Sequence, residues 1–119
     1  MAHADTVPAV FAAIDAMDTP VLVDHLTPDA TFVFANQPAA VGSDAIAGTV
    51  NYVFTTFKGL KHTITGMWEQ GDTIVVRLSI DYTRHDDQVV TLPCVNIFQY
   101  EGAKIKDYRI YMDIAPVYA

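Results

Sequence analysis

Apolar positions recur at helical spacing through the first half of the chain and at every second residue through the second half. Val10, Phe11, Ile14 and Met17 stand three or four residues apart, which predicts an amphipathic helix with Thr6 as its N-cap and Pro8 in its first turn. Thr19-Pro20 restarts a short helix through Val21, Leu22 and His25, and Pro28-Asp29 turns the chain into a strand reading ATFVFA. The segment NQPAAVG predicts a loop. Ser43 then caps a second long helix, with Ile46, Val50, Val53, Phe54 and Phe57 as one stripe before Gly59. From Leu60 the period is two. LKHTITGMWEQ, DTIVVRLSIDYTR, QVVTLPCVNIFQY and AKIKDYRIYMDI predict four strands, joined by turns at Gln70-Gly71-Asp72, His85-Asp86-Asp87 and Glu101-Gly102. Connections this short favour antiparallel hairpins. Helices followed by strands make an α+β fold, and such a sheet closes most easily by curling around the helices into a cone with an apolar interior open at one end.

Composition narrows the partners. A chain of 119 residues is read as one domain spanning 1–119, and 51% hydrophobic residues supply its core. Fourteen Asp and Glu against seven Lys and Arg leave a formal charge of -7, the wrong sign for nucleic acid or an anionic membrane surface. The lone Cys94 excludes an internal disulfide, and His3, His25, His62 and His85 lack metal-ligand spacing, so neither metal nor cofactor is expected. No apolar run reaches the roughly 18 residues of a membrane span, and the start MAHADTVPAV has no basic segment ahead of an apolar one. These features lead to the expectation of a cytoplasmic protein.

The tail PCVNIFQYEGAKIKDYRIYMDIAPVYA resembles the ending of the SnoaL-like branch of the nuclear-transport-factor-2-like (NTF2-like) superfamily. The shared pattern is a strand ending in an aromatic pair, a Gly-Lys-Ile type turn and an Arg-x-Tyr-x-Asp strand. AAIDAMDTPVLVDHLTPDATFVF resembles the helix, short helix and first strand of that superfamily, and GSDAI the start of its third helix. The resemblance covers essentially the whole chain. It implies a cone-shaped NTF2-like, cystatin-like α+β barrel, with a curved antiparallel sheet wrapped around N-terminal helices, that forms homodimers. Ketosteroid isomerases of this fold use an Asp base with a Tyr and a protonated Asp as oxyanion hole, and the matching positions are Phe34, Val10 and Asn96. Limonene epoxide hydrolases use an Arg flanked by two Asp, with a Tyr and an Asn. Those positions fall on Arg77, Ser79, Ile110, Phe34 and Asn36. Neither set retains its base, so neither steroid isomerisation nor epoxide hydrolysis is expected as an efficient activity.

The polar residues that remain define the expected site. Alternation on TIVVRLSIDYTR puts Arg77, Ser79 and Asp81 on one face and Val76, Leu78, Ile80 and Tyr82 on the other. In the register that the resemblance implies, the polar face looks into the cone, with Arg77 and Asp81 as paired catalytic candidates. The apolar face then looks outward and needs a second copy to cover it. His62 shares its parity with Leu60 and Ile64 and is a candidate base. Asn36 and Asn96 are the expected polar ligand contacts, with Phe34, Leu92, Tyr108, Ile110 and Met112 as wall, while Asp113 falls off the inner face near the mouth. The expectation is a pocket for a small apolar molecule, performing acid/base chemistry of isomerase, cyclase or hydrolase type on an oxygenated substrate. The alternative is a non-catalytic ligand binder or dimeric scaffold of the same fold.

Overall fold

A computed structural model describes residues 3–119. A 3-10 turn (His3–Thr6) leads into α1 (Val7–Asp15), which buries Val7, Val10, Phe11, Ala13 and Ile14. Thr6 precedes α1 but does not cap it. Its hydroxyl donates to His3 O and meets Tyr100 Oη at 2.8 Å, and the His3 ring stacks on Tyr100 at 4.2 Å, so the turn is tied to the sheet. α2 (Thr19–Asp24) is capped by Asp18, whose carboxylate accepts from Val21 N. α3 (Ser43–Thr55) starts at Ser43 as expected, but its N-cap is Gly42 at φ +90°, a left-handed conformation open to glycine, and no side chain caps it.

The strands are β1 (Leu26–Phe34), β2 (Ala40–Val41), β3 (Gly59–Gln70), β4 (Thr73–Thr83), β5 (Val89–Glu101) and β6 (Lys104–Tyr111), followed by a last short turn of helix, α4 (Ala115–Tyr118). They form one sheet in the order β2-β1-β6-β5-β4-β3. β3 to β6 make the antiparallel meander that the tight turns predict. β1 runs parallel to β6, since the connection between them passes through α3 and the whole meander. Two segments differ from the expected pattern. β1 begins at Leu26, before Pro28, with a register irregularity up to Thr31, and β2 lies inside the segment read as a loop. Pro93 sits within β5 without breaking the sheet. It faces Ser79 of β4, and pairing to β6 starts only at Val95, so β5 has one neighbour at that point.

The core lies between the helices and the inner face of the sheet. On β4 that face is Ile74, Val76, Leu78, Ile80 and Tyr82, all buried, and on β5 it is Leu92, Cys94, Asn96, Phe98 and Tyr100. The expected orientation of β4 is therefore reversed. The apolar face is covered by this chain's own helices, and Arg77, Ser79 and Asp81 look outward. Alternation fixes which residues share a face, and burial of the more apolar set against the helices decides which face is inside. The reversal also removes the argument that Val76, Leu78, Ile80 and Tyr82 need a second copy to cover them. On the outer face Arg77 donates to Thr65 Oγ1 and Thr65 O and lies over the Trp68 ring, 5.4 Å from its centroid. Gly66 makes room for that ring, because a Cβ there would fall 2.6 Å from Trp68.

No helix among the described residues is long and apolar enough to cross a membrane. Phe98 is fully buried and its ring meets those of Phe11, Tyr100 and Tyr108. Phe98→Ala is expected to cost about 3–5 kcal/mol of stability, as core aromatic truncations do. Arg77→Ala, on the outer face, is expected to cost about 1 kcal/mol or less. Urea unfolding of both variants checks the order, and equal losses would contradict this assignment of inner and outer faces.

Candidate functional site

The helices do not fill the cone. A small cavity of about 40 Å³ remains between α1, α2, α3 and the sheet. Its wall is mainly aliphatic and aromatic: Ile14 from α1, Val50, Phe54 and Phe57 at α3, Phe32 and Phe34 from β1, and Ile80 from β4 are representative. Polar side chains enter this wall at four places, namely His62, Tyr82, Asn96 and Tyr108.

His62 reaches the cavity from the inner face of β3, where alternation with Leu60 and Ile64 places it. Its ring stacks on Phe11 of α1 at 4.8 Å, and its side chain is only 6% exposed. The last residue of α1, Asp15, turns its carboxylate onto the same residue. His62 Nδ1 lies 2.5 Å from Asp15 Oδ1, and the His62 backbone N–H donates to both carboxylate oxygens at 3.1 Å. A carboxylate at Nδ1 holds the proton there and leaves Nε2 with its lone pair. Nε2 makes no hydrogen bond among the described residues. Burial lowers the His62 pKa from its ordinary value, against the hydrogen bond and charge of Asp15, which raise it. The ring is therefore neutral at pH 7, with a basic nitrogen in an apolar wall.

The other polar groups are hydrogen-bond donors and acceptors held in their neutral forms. Burial pushes the Tyr108 phenol well above its ordinary pKa, with further contributions that include the Asp15 carboxylate, and Tyr108 Oη has no partner among the described residues. Tyr82 is raised for the same first reason, and among the described residues its hydroxyl meets only the Met112 sulfur, at 3.7 Å. Asn96 is buried, donates from Nδ2 to Cys94 Sγ at 3.2 Å, and leaves Oδ1 without a partner. Cys94 itself is no nucleophile, since burial raises its thiol pKa to about 12. Buried polar atoms normally find partners. Tyr108 Oη and Asn96 Oδ1, on residues that line the cavity, have none among the described residues, and neither does Thr27 Oγ1, which lies outside its wall.

The structure separates the expected site residues into two groups. His62, Phe34, Asn96, Tyr108, Ile110 and Met112 line the cavity. Arg77 and Asp81 do not. Arg77 is exposed, and Asp81 accepts from Thr91 Oγ1 at 2.6 Å on the outer face instead of pairing with Arg77. Asn36 is exposed in the turn after β1, and Leu92 is buried on the inner face of β5 outside the cavity wall. Asp113 is exposed and caps the following turn by accepting from Ala115 N. Sequence reasoning missed Asp15 and placed Tyr82 on the wrong face. A signal for Asp15 exists: it stands four residues after Phe11, at the margin of the apolar stripe of α1, where a carboxylate is out of place unless it has a partner.

The lowered His62 pKa makes stability depend on pH with a definite sign. Between the native value and the unfolded value of about 6.5 the unfolded chain binds more protons, so stability rises with pH across that window. The contribution is complete above about pH 6.5 and is lost as pH falls through the native pKa. Urea midpoints measured through this range should fall more steeply for the wild type than for His62→Gln. Parallel curves would show that His62 is not buried in its neutral form.

No curated protein matches the chain. Solved structures match it in shape at low identity. One is an NTF2-like protein of unknown function from Burkholderia pseudomallei, with 20% identity over 96% of this chain and 92% of that one and a TM-score of 0.87. Another is TerC, co-crystallised with polyporic acid, with 19% identity over 96% and 93% of the two chains and a TM-score of 0.86. A third is a protein with a ketosteroid isomerase-like fold from Catenulispora acidiphila, in complex with trimethylamine, with 19% identity over 93% and 87% and a TM-score of 0.85. Identities this low establish a shared NTF2-like fold and nothing about chemistry. The SnoaL-like domain matches residues 7–108, nearly the whole of the helices and sheet that build the cavity, and the chain belongs to this SnoaL-like family.

Proposed function

We propose that the protein carries out proton transfer on a small, neutral, oxygenated molecule held in the cone, with His62 as the base and Asp15 as its positioning residue. The observation that carries this reading is the buried His62 imidazole, tied through Nδ1 to Asp15 and offering an unpartnered Nε2 from the cavity wall. Nε2 takes a proton from a carbon or oxygen next to a carbonyl group. The charge that develops on the carbonyl oxygen meets the neutral Tyr108 and Tyr82 hydroxyls, which act as preorganised donors in a dry site. Asp15 stabilises the imidazolium that forms, and Asn96 Oδ1 accepts from a substrate hydroxyl. Return of the proton to another carbon gives an isomerisation; attack of the enolate carbon on a second carbonyl carbon of the same molecule, whose π electron pair moves to its oxygen and takes the proton back from the imidazolium, closes a ring. The fold neighbours, one co-crystallised with polyporic acid and one in complex with trimethylamine, support a small-molecule occupant. Arg77, Asp81, Asn36 and Leu92 have no part in this site.

The experiment is deuterium uptake, followed by NMR, into enolisable cyclic ketones and hydroxyquinones in heavy water. His62→Gln is expected to lower the exchange rate by about 10²- to 10⁴-fold, the range of general-base catalysis. Asp15→Asn should lower it while shifting its pH profile. Binding of these compounds with no exchange by the wild-type protein would overturn the catalytic reading and leave a ligand-binding protein.

We also infer a homodimer through the outer face of the sheet. Helices α1 to α3 pack on the other face, and Trp68, Val75, Val95, Ile97 and Tyr111 remain half-buried to exposed, with Trp68 54% and Tyr111 52% accessible. A second copy of the same face would cover them. Sedimentation equilibrium at micromolar concentration should give twice the chain mass, and Ile97→Glu should halve it. A wild-type monomer overturns the inference.

A further inference from the structure

Phe34 and Val53 have cavity on one side and an open groove on the other, so these two side chains form the partition between the spaces. The groove runs between α3, the loop after β1 and the C-terminal residues Ile114 and Tyr118. Its floor is one face of α3, where Ala45, Gly48, Thr49 and Tyr52 follow at three- and four-residue steps. A Cβ added at Gly48 would meet no heavy atom within 4 Å, so the groove lies open directly over the helix there. Tyr52, 70% exposed, stands at its side as an uncovered aromatic plane. The polar groups along it are neutral amide and hydroxyl groups of residues such as Gln37, Thr49 and Thr56. Among the described residues Asp44 is the one charged residue in its lining, and that charge is negative.

We propose that this groove is the outer half of the substrate site. The substrate is then an elongated molecule, with a compact oxygenated head beside His62 and a neutral, carbon-rich tail that passes between Phe34 and Val53 onto α3. This inference rests on the acid/base reading of the cavity. The inner end of the cone is closed by packed aromatic rings of Phe98, Tyr100 and Tyr108, so anything longer than the head must leave by the mouth, past the partition. Ala35 follows Phe34 directly. It takes a left-handed φ of +52°, and its N–H donates to Ile110 O at 2.9 Å, which ends β1 beside β6 and starts the turn whose next residues line the groove. The lining also states what the tail cannot be. With a carboxylate and no cation along the groove, and a chain charge of -7, an anionic tail is repelled.

Calorimetric binding of para-ethylphenol and para-heptylphenol tests both halves separately. The phenol group probes the cavity and the alkyl chain probes the groove. Each fully buried methylene raises affinity about fourfold, so even partial burial of the longer chain should give para-heptylphenol an advantage of about tenfold or more. Gly48→Phe fills the groove and removes a helix-interior glycine, a change that favours α3. It should abolish the advantage while leaving para-ethylphenol binding and the melting temperature intact. Ala45→Phe, on the same face, serves if that variant does not fold. The heptyl phenol ending in a carboxylate should bind no better than para-ethylphenol. Equal affinities of the two neutral phenols for the wild type, or an advantage that survives the blocked groove or the added carboxylate, overturns this inference and leaves the cavity reading standing. Failure of both phenols to bind overturns the two together.

Discussion

The inner faces of β4 and β5 form an apolar surface interrupted by Asn96, and the need to keep it from water governs the rest of the molecule. At about 25 cal/mol per Å² of buried apolar area, no arrangement that leaves Ile74, Val76, Leu78, Ile80 and Phe98 wet can compete with one that covers them. The available cover is α1, α2 and α3, of 9, 6 and 13 residues. Three short helices cannot span a flat sheet of long strands. The sheet therefore wraps around them, and the space they do not fill becomes the cavity. Pocket and core thus share one cause.

Polar groups set into such a wall behave differently from the same groups at a surface. His62 loses hydration, which favours its neutral form, and Asp15 keeps it oriented without reversing that preference. The phenols of Tyr82 and Tyr108 are held protonated by the same burial and serve as donors, not as bases. A single environment therefore favours the neutral forms of the imidazole and of both phenols. The tie from Asp15 to the His62 ring and backbone is also a structural clamp, since it fastens the end of α1 to β3 at the cavity wall.

The mouth and the outer sheet face follow from the same arrangement. β1 and β6 end beside each other, Phe34 opposite Ile110, and the chain leaves both at the open end of the cone. The residues that leave the sheet there, together with α3, build the groove that shares Phe34 and Val53 with the cavity. The outer face, free of helices, carries Trp68 with Arg77 stacked on it and a scatter of half-buried Val and Ile.

Much of this architecture is legible in the order of the amino acids. Three- and four-residue spacing locates α1 and α3, alternation locates β3 to β6, and the tight turns fix their antiparallel order, because each of these signals is local. The same periodicity puts His62 with Leu60 and Ile64, and Tyr108 with Ile110 and Met112, on faces that do line the cavity. Nothing local can orient β4. Alternation is symmetrical between its two faces, and which one is inside depends on helices that end 18 or more residues earlier in the sequence, so Arg77 and Asp81 read as a buried pair and Tyr82 as a surface residue. β2 is two residues long and exists only because β1 lies beside it. Asp15 and His62 are 47 positions apart, and no spacing rule joins them. Steric and hydrophobic preferences acting over a few residues are enough to specify the elements and the sharing of their faces from the chain alone. Which faces close on each other is decided by tertiary packing between distant segments, and with it the pairing of a carboxylate and an imidazole inside an apolar wall.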